Sequence, residues 1–291
     1  MAFNALADRT IESGGYEAII SPEISVLMGV YYHRTETAML ERSVQSILNQ
    51  TEKNFEFLIC DDGSSEEARR LLERFAQQDL RIRLIRAEGL HSLPEKLNAC
   101  LASAKGKWIA RMDDDDYSHP MRFETQIRYL KEHPELAFVG CSVNLWREGQ
   151  IVGKRVLPER PEVRDFYFVQ PYIHPALMFR TDVLRKVNGY SENRRCILCE
   201  DYDLLLRLHA AGYRGGNIQE ILFDYTVPAT AKGNRKMRHR WNECVTRYRR
   251  FSDLGVLPQA LPYVIKPLVV GMIPEPFLFR MKRLKNKEKP L

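Results

Sequence analysis

The first half of the chain alternates short apolar runs with longer stretches whose apolar residues recur every three or four positions. Ile24–Tyr32 (ISVLMGVYY), Phe55–Cys60 (FEFLIC), Ile82–Ile85 and Trp108–Met112 are the short runs. Rich in β-formers and lacking a solvent face, they read as strands of a buried parallel sheet. Between them, Thr37–Gln50 places apolar residues at 40, 44, 47 and 48, a helical stripe. Glu66–Gln77 is a charged amphipathic helix, and Pro94–Ala104 a third, with proline near its first turn and Gly106 just past its end. Strand and helix in repeated alternation predict an α/β fold, a mainly parallel sheet flanked by helices.

After Asp116 the pattern changes. Arg122–Lys131 reads as a helix, and Leu136–Trp146 and Ile151–Val156 as strands joined at Glu148-Gly149. Pro171–Arg180 and Ile221–Val227 read as further strands, with helices over Thr181–Val187 and Asp201–Ala211 between them. Mixed pairing is expected here. The chain thus divides into an arm (1–22), a body (23–228, its halves meeting after Asp116) and an extension (229–291).

Parallel sheets bind ligands at the carboxyl ends of their strands. Three polar clusters fall there: Tyr31-Tyr32-His33, Asp61-Asp62 and Asp113–Asp116. Two carboxylates about 4 Å apart repel by roughly 4 kcal/mol at an effective dielectric of 20, so four in a row imply solvent or a cation. If the backbone stays extended, Asp113 and Asp115 share a face and could grip one ion. Carboxylate oxygens with open water positions suit Mg²⁺ or Mn²⁺, which commonly bridge to substrate phosphates. The plainer alternative is a solvated acidic turn. A calcium loop is disfavoured, because Tyr117 takes its fifth place and Ser118 the place needing glycine. Glu200-Asp201 begins a helix, where an acid can serve simply as a cap or first-turn charge.

With 291 residues, 44% hydrophobic and 28% charged, the chain can bury a sizeable core as one large domain or two small ones. No basic region precedes an apolar core at the N-terminus, so no signal peptide is expected. Six scattered cysteines suggest reduced thiols and a cytoplasmic setting. Cys196 and Cys199 have the spacing of half a zinc ribbon, but no second pair completes it, and both are expected to be structural. Residues 229–291 hold 15 Lys and Arg against 4 Asp and Glu, on a body with more acidic than basic residues. Such a section suggests an anionic partner. Arg235–Phe251 reads as a basic helix with Trp241, Val245, Tyr248 and Phe251 along one side. Leu257–Phe279 is apolar but interrupted by Lys266, Glu275 and five prolines. A bilayer-spanning helix needs about 20 predominantly apolar residues, so none is expected. The two readings of the extension are attachment to the cytoplasmic, anionic face of a membrane and a helix packed on the body.

Taken together, ISVLMGVYY, SVQSILNQT, FEFLICDDGSS, LNACLASAKGKWIARMDDDD, HPMRFETQIRYL, HPALMFRTDVLRKVNGYSE and EDYDLLLRLHAAGY resemble, in family order over residues 22–228, the family 2 glycosyltransferases of GT-A fold. The resemblance implies an inverting, metal-dependent transfer from a nucleotide-sugar donor, expected to be a UDP-sugar, to a glycan or lipid-linked acceptor. It implies that Tyr31 packs on the donor's base, that Asp62 hydrogen-bonds that base, and that Asp113–Asp115 form the DxD signature. Asp115 would be the metal ligand, Asp113 a ribose or metal contact, and Asp114 a further donor contact. Asp201 would be the general base, with Glu200 and His174 on the acceptor side. The sequence departs from the family pattern at Gly29 and Tyr32, where proline and asparagine are frequent. Tyr225-Thr226-Val227-Pro228 also lacks an Arg-x-His, for which Lys232 or Arg235 could substitute. Two rivals are a nucleic-acid-binding protein using the basic extension, which the acidic body disfavours, and a nucleotidyltransferase, which would carry a glycine within Tyr31–Glu36. No nucleic-acid partner is expected.

Overall fold

The computed structural model describes residues 21–34, 36–87, 89–90, 92–227 and 236–274. The N-terminal arm up to residue 20, Pro228, Lys232, Arg235 and the basic run after residue 279 lie outside them. The expected units appear in order: β1 (Ile24–Val30), α1 (Ala38–Leu48), β2 (Phe55–Asp61), α2 (Glu66–Gln78), β3 (Ile82–Arg86), α3 (Leu93–Ser103) and β4 (Trp108–Arg111). These four strands pair in parallel in the order β3-β2-β1-β4.

The second half follows as β5 (Tyr117–Ser118), α4 (Arg122–Glu132), β6 (Leu136–Arg147), β7 (Gln150–Arg155), β8 (Met178–Arg180), α5 (Thr181–Lys186), α6 (Glu200–Ala210) and β9 (Arg214–Thr226). It extends the sheet as β4-β8-β6-β9-β5, with β7 hanging off β6. Here β8 is antiparallel to both β4 and β6, whereas β6 and β9 are parallel. Strand alternation divides the core into two faces. Ile24, Val26, Met28, Phe57 and Ile59 pack with α1, α2 and α4, while Leu27, Leu58 and Cys60 pack with α3, α5 and α6.

Three local expectations are corrected. Tyr31 and Tyr32 lie beyond the end of β1. Pro171–Arg180 is not one strand: Pro175 seeds a turn of 3₁₀ helix at His174–Ala176, and only Met178–Arg180 pairs, because proline has no N–H to give a ladder. The last strand starts seven residues before Ile221, at Arg214; Gly215 and Gly216 hide it from a propensity reading. At Gly215 a Cβ would stand 2.2 Å from the Phe138 ring, so the glycine is there for close approach.

Beyond residue 235 the chain forms two helices, α7 (Met237–Asp253) and α8 (Leu257–Met272), the latter continuing through Pro262 and Pro267. Both join the α6-side core through Cys244, Phe251, Ala260 and Val264. Arg250 donates to Asp203 of α6 at 2.7 Å, and Arg247 to the Tyr167 carbonyl at 2.9 Å. Part of the basic charge therefore faces inward. Among the described residues no helix is long and apolar enough to cross a membrane. All six cysteines are buried and unbridged.

Candidate active site

β1 and β4 are neighbours at the point where the strand order reverses, so a crevice opens beyond their carboxyl ends. Tyr31 leaves β1 with 62% of its surface exposed, and the Lys96 ammonium lies 5.3 Å from its ring centroid. Asp62, one strand over, is buried: its Oδ1 accepts the Gly89 and Leu90 N–H groups at 3.1 and 3.0 Å, and its Oδ2 faces Lys96 at 3.4 Å. In this structure that carboxylate organises the loop ahead of α3.

The four aspartates after β4 have separate surroundings. The Asp113 carboxylate pairs with Arg111, and its carbonyl accepts the Ser43 hydroxyl at 2.6 Å. Asp114 and Asp115 form a turn rather than an extended segment, which overturns the expected shared face of Asp113 and Asp115. Asp115 opens instead on a hollow of about 340 Å³ between Trp146 and Arg34, whose guanidinium stands 3.6 Å away. Asp116 is fully buried. Its Oδ1 accepts the Thr226 N–H at 2.7 Å, while Oδ2 has no partner among the described residues.

Crowding shows in the titration of these groups. Burial, then the charges of Asp115 and Asp113, push Asp114 up to about 7. Burial and Asp113 raise Asp115 to about 6. Beneath them lies Arg111, wholly buried. An arginine inside the apolar run KWIARM is the one sequence signal that this strand supports charge, and hydrophobic patterning passes over it.

Hard oxygen donors whose ionisation is suppressed by their neighbours fit a divalent cation, which would favour the charged forms. Among the described residues no three acidic, His or Cys side chains group closely enough to hold an ion by themselves. An ion here would complete its shell from phosphate oxygens and water.

A larger cleft of about 730 Å³ runs from Asp113 to the start of α6, lined by Glu200, Asp201, His174 and Tyr225 among others. Asp201 is in the first turn of α6, one residue inside, the first-turn charge of the plainer reading rather than the cap. Its Oδ1 accepts the Tyr202 N–H at 2.7 Å and its Oδ2 the Gln170 amide at 3.0 Å. Burial, then the Asp201 charge, raise Glu200 to about 7. His174 is buried against the Tyr190 hydroxyl at 2.9 Å, and burial holds it neutral. Tyr225 lines the same cleft as Asp113 and Asp201, and burial, then the charges of Asp116, Asp113, Asp201 and Asp115, raise its pKa. The structure thus gathers Asp113, His174, Glu200 and Asp201 on one cleft. Asp115 is on its neighbouring hollow, and Tyr31 and Asp62 line neither.

Residues 25–187 match the family model for glycosyl transferase family 2, and residues 108–274 that for glycosyl transferase family group 2. EpsE of Bacillus subtilis, a glycosyltransferase by name, is 33% identical over 273 residues, 93% of this chain and 97% of its own length. The O-antigen biosynthesis glycosyltransferase WbnJ of Escherichia coli is 32% identical over 228 residues, 77% of this chain and 86% of its own. Among solved structures, S. aureus TarS 1–349 superposes with a TM-score of 0.64 at 14% identity, covering 84% of this chain and 72% of that one. The same protein has been solved with UDP-GlcNAc. The mannosyltransferase PcManGT of Pyrobaculum calidifontis, solved with GDP-Man and Mn²⁺, superposes with a TM-score of 0.56 at 17% identity, covering 91% and 81%. The mixed, mostly parallel sheet flanked by helices is the architecture these structures share with this chain.

Proposed function

The chain belongs to glycosyl transferase family 2 and is a glycosyltransferase, and from that premise we propose that it carries a sugar from a UDP-linked donor to a hydroxyl of a growing polysaccharide or lipid-linked glycan, with inversion. The observation that carries the reading is the single cleft joining Asp113, at the end of β4, to Glu200 and Asp201, at the start of α6. Relatives named for O-antigen and amylovoran biosynthesis support the acceptor class.

Each residue then has a task. Tyr31 offers an exposed ring face beside β1 for the base, and Asp62 fixes the adjoining loop edge. Asp113 and Asp114 border the donor's ribose and diphosphate. Asp115, with phosphate oxygens and water rather than Asp113 completing the shell, would hold Mg²⁺ or Mn²⁺, a Lewis acid that offsets charge on a diphosphate leaving group. A sugar hydroxyl is a poor nucleophile, so a carboxylate must take its proton as the new bond forms. Asp201 does this: the acceptor oxygen bonds to the anomeric carbon, the proton passes to Asp201, and the old C–O bond's electron pair leaves with the nucleoside diphosphate. Gln170 and the Tyr202 N–H aim the carboxylate. Glu200 and His174 border the acceptor, His174 as a neutral group.

For the extension we propose the cytoplasmic face of an anionic membrane as partner. Leu261, Ile265, Val269 and Met272 form an exposed stripe along α8, and Met237, Trp241 and Tyr248 lie exposed on basic α7. Apolar and basic surface together suit interfacial binding. Failure to sediment with anionic vesicles at low salt would remove this partner.

A panel of nucleotide sugars, each with Mg²⁺ and with Mn²⁺, tests the main reading. One UDP-sugar should raise the thermal midpoint and be hydrolysed slowly without acceptor. If no nucleotide sugar of any kind stabilises the protein or is turned over, the proposal fails.

A further inference from the structure

The cleft that holds Glu200 and Asp201 is also lined by two arginines that no carboxylate among the described residues neutralises. Arg240 of α7 is 7% exposed, and its guanidinium donates to the Pro267 carbonyl at 3.3 Å. Arg155, at the end of β7, donates to the Gln170 carbonyl at 2.9 Å, and burial lowers its pKa. Lys266 of α8 lines the same cleft over the Phe168 ring.

Nearby arginines are treated differently. Arg207 and Arg250 each hold Asp203 at 2.7 Å, and Arg247 holds Glu243 at 3.0 Å. Arg122 also lacks a carboxylate, but it lies in the core and is held by the Gln126 amide oxygen and the Arg111 and Leu177 carbonyls, whereas among the described residues Arg155 and Arg240 lack one on the wall of an open cleft. Arg240 is buried and Arg155 half-buried, each with one carbonyl acceptor and no opposite charge among the described residues, and a desolvated cation gains when an anion enters beside it.

Room for Arg240 is made specifically. Gly271 lies in α8, where glycine is unfavourable, and a Cβ there would stand 2.4 Å from Arg240 Cδ and 3.0 Å from its Nε. The helix crosses the arginine's stem closely enough to fix its direction only because that position is bare.

We infer that the acceptor carries an anionic group, a phosphate or a carboxylate, that docks on Arg155 and Arg240 while the accepting hydroxyl faces Asp201. Guanidinium forks with several unused N–H groups match the planar or tetrahedral oxygens of such anions. The anion is assigned to the acceptor because both arginines come from the second half and α7, on the α6 side, whereas the donor's expected contacts come from the ends of β1, β2 and β4. The inference rests on the proposed transferase reading and specifies its acceptor. A phosphate would belong to the link between glycan and lipid carrier, and a carboxylate to an acidic sugar of the glycan.

The test uses the full chain saturated with UDP and Mn²⁺, titrated by NMR or calorimetry with methyl phosphate, methyl glucuronide and, as a neutral control, methyl glucoside. One of the two anions should bind at millimolar concentration and the control should not; which one binds identifies the source. In Arg240→Gln that binding should weaken at least tenfold, and in Gly271→Ala, which displaces the same side chain, by a similar factor. Arg155→Gln provides an independent check should either helix variant fold poorly. UDP affinity should stay within twofold in all three. If neither anion binds the UDP-loaded protein, or the variants bind it unchanged, the inference is overturned while the transferase reading stands. If UDP affinity falls in parallel, the arginines serve the donor's diphosphate and the inference is likewise overturned. Loss of nucleotide binding by the unaltered protein would instead overturn the transferase reading.

Discussion

Replacing Asp201 by asparagine isolates the base with little disturbance. The new side chain keeps an oxygen where Oδ1 accepts the Tyr202 N–H at 2.7 Å. At the other position its NH₂ would meet the Gln170 amide nitrogen, now 3.0 Å from Oδ2. Gln170 can answer by turning its amide, which gives its buried Oε1, unpartnered among the described residues, a donor at the cost of the 3.3 Å bond from its Nε2 to the Tyr172 carbonyl. The thermal midpoint should therefore move by less than about 3 °C, the shift that 1 kcal/mol produces in a chain of this size. A positioned general base contributes about 10²- to 10⁴-fold, so kcat should drop by that factor, about 3 to 5 kcal/mol of barrier. Donor affinity, measured by calorimetry, should stay within about twofold, because the proton is moved only in the chemical step. Glu200 is held near 7 by burial first and the Asp201 charge second. Without that charge its pKa should fall, shifting the pH profile of any residual transfer to lower pH. A folded Asp201→Asn enzyme with more than about a tenth of the original kcat refutes the assignment. A loss that appears only in donor affinity would make Asp201 a binding group.

Asp114 near 7, Asp115 near 6 and Glu200 near 7 all lie above their unfolded values near 4. The native state then binds more protons between about pH 4 and pH 7, so these groups lower stability as pH rises through that window. His174 and His209, kept neutral by burial, act in the opposite sense over the same range, so the test is the variant. Asp114→Asn should gain urea midpoint over the unaltered protein at pH 8 relative to pH 5, and no such gain would mean that the acidic turn is better solvated than its burial implies. Gly106→Ala should cost about 1 to 3 kcal/mol by overpacking, because its Cβ would meet the Ser25 backbone nitrogen at 2.4 Å. Equal denaturation midpoints for the two proteins would show that the turn into β4 can move away from β1.

The sequence by itself determined the parallel half, because its signals are local. The apolar runs at Ile24, Phe55 and Trp108 are short and rich in β-formers, which marks them as buried strands, and the stripe at Leu40, Val44 and Ile47 marks a helix laid on them. That Tyr31, Asp62 and Asp113 stand at carboxyl ends of neighbouring parallel strands follows from the same local pattern. Tertiary structure decided the rest, for a reason common to every case: the deciding partner is far away along the chain. The turn at Asp114-Asp115 separates Asp113 from Asp115 because Thr226, on β9, holds Asp116 and the Asp115 carbonyl. The three residues of β8 are a strand only because β4 and β6 flank them. Asp201 shares a cleft with Asp113, and Arg240 lies against the bare backbone of Gly271, only because distant elements pack together. Periodicity states which face of an element is buried; which charges then meet across a cleft depends on how distant elements close on one another.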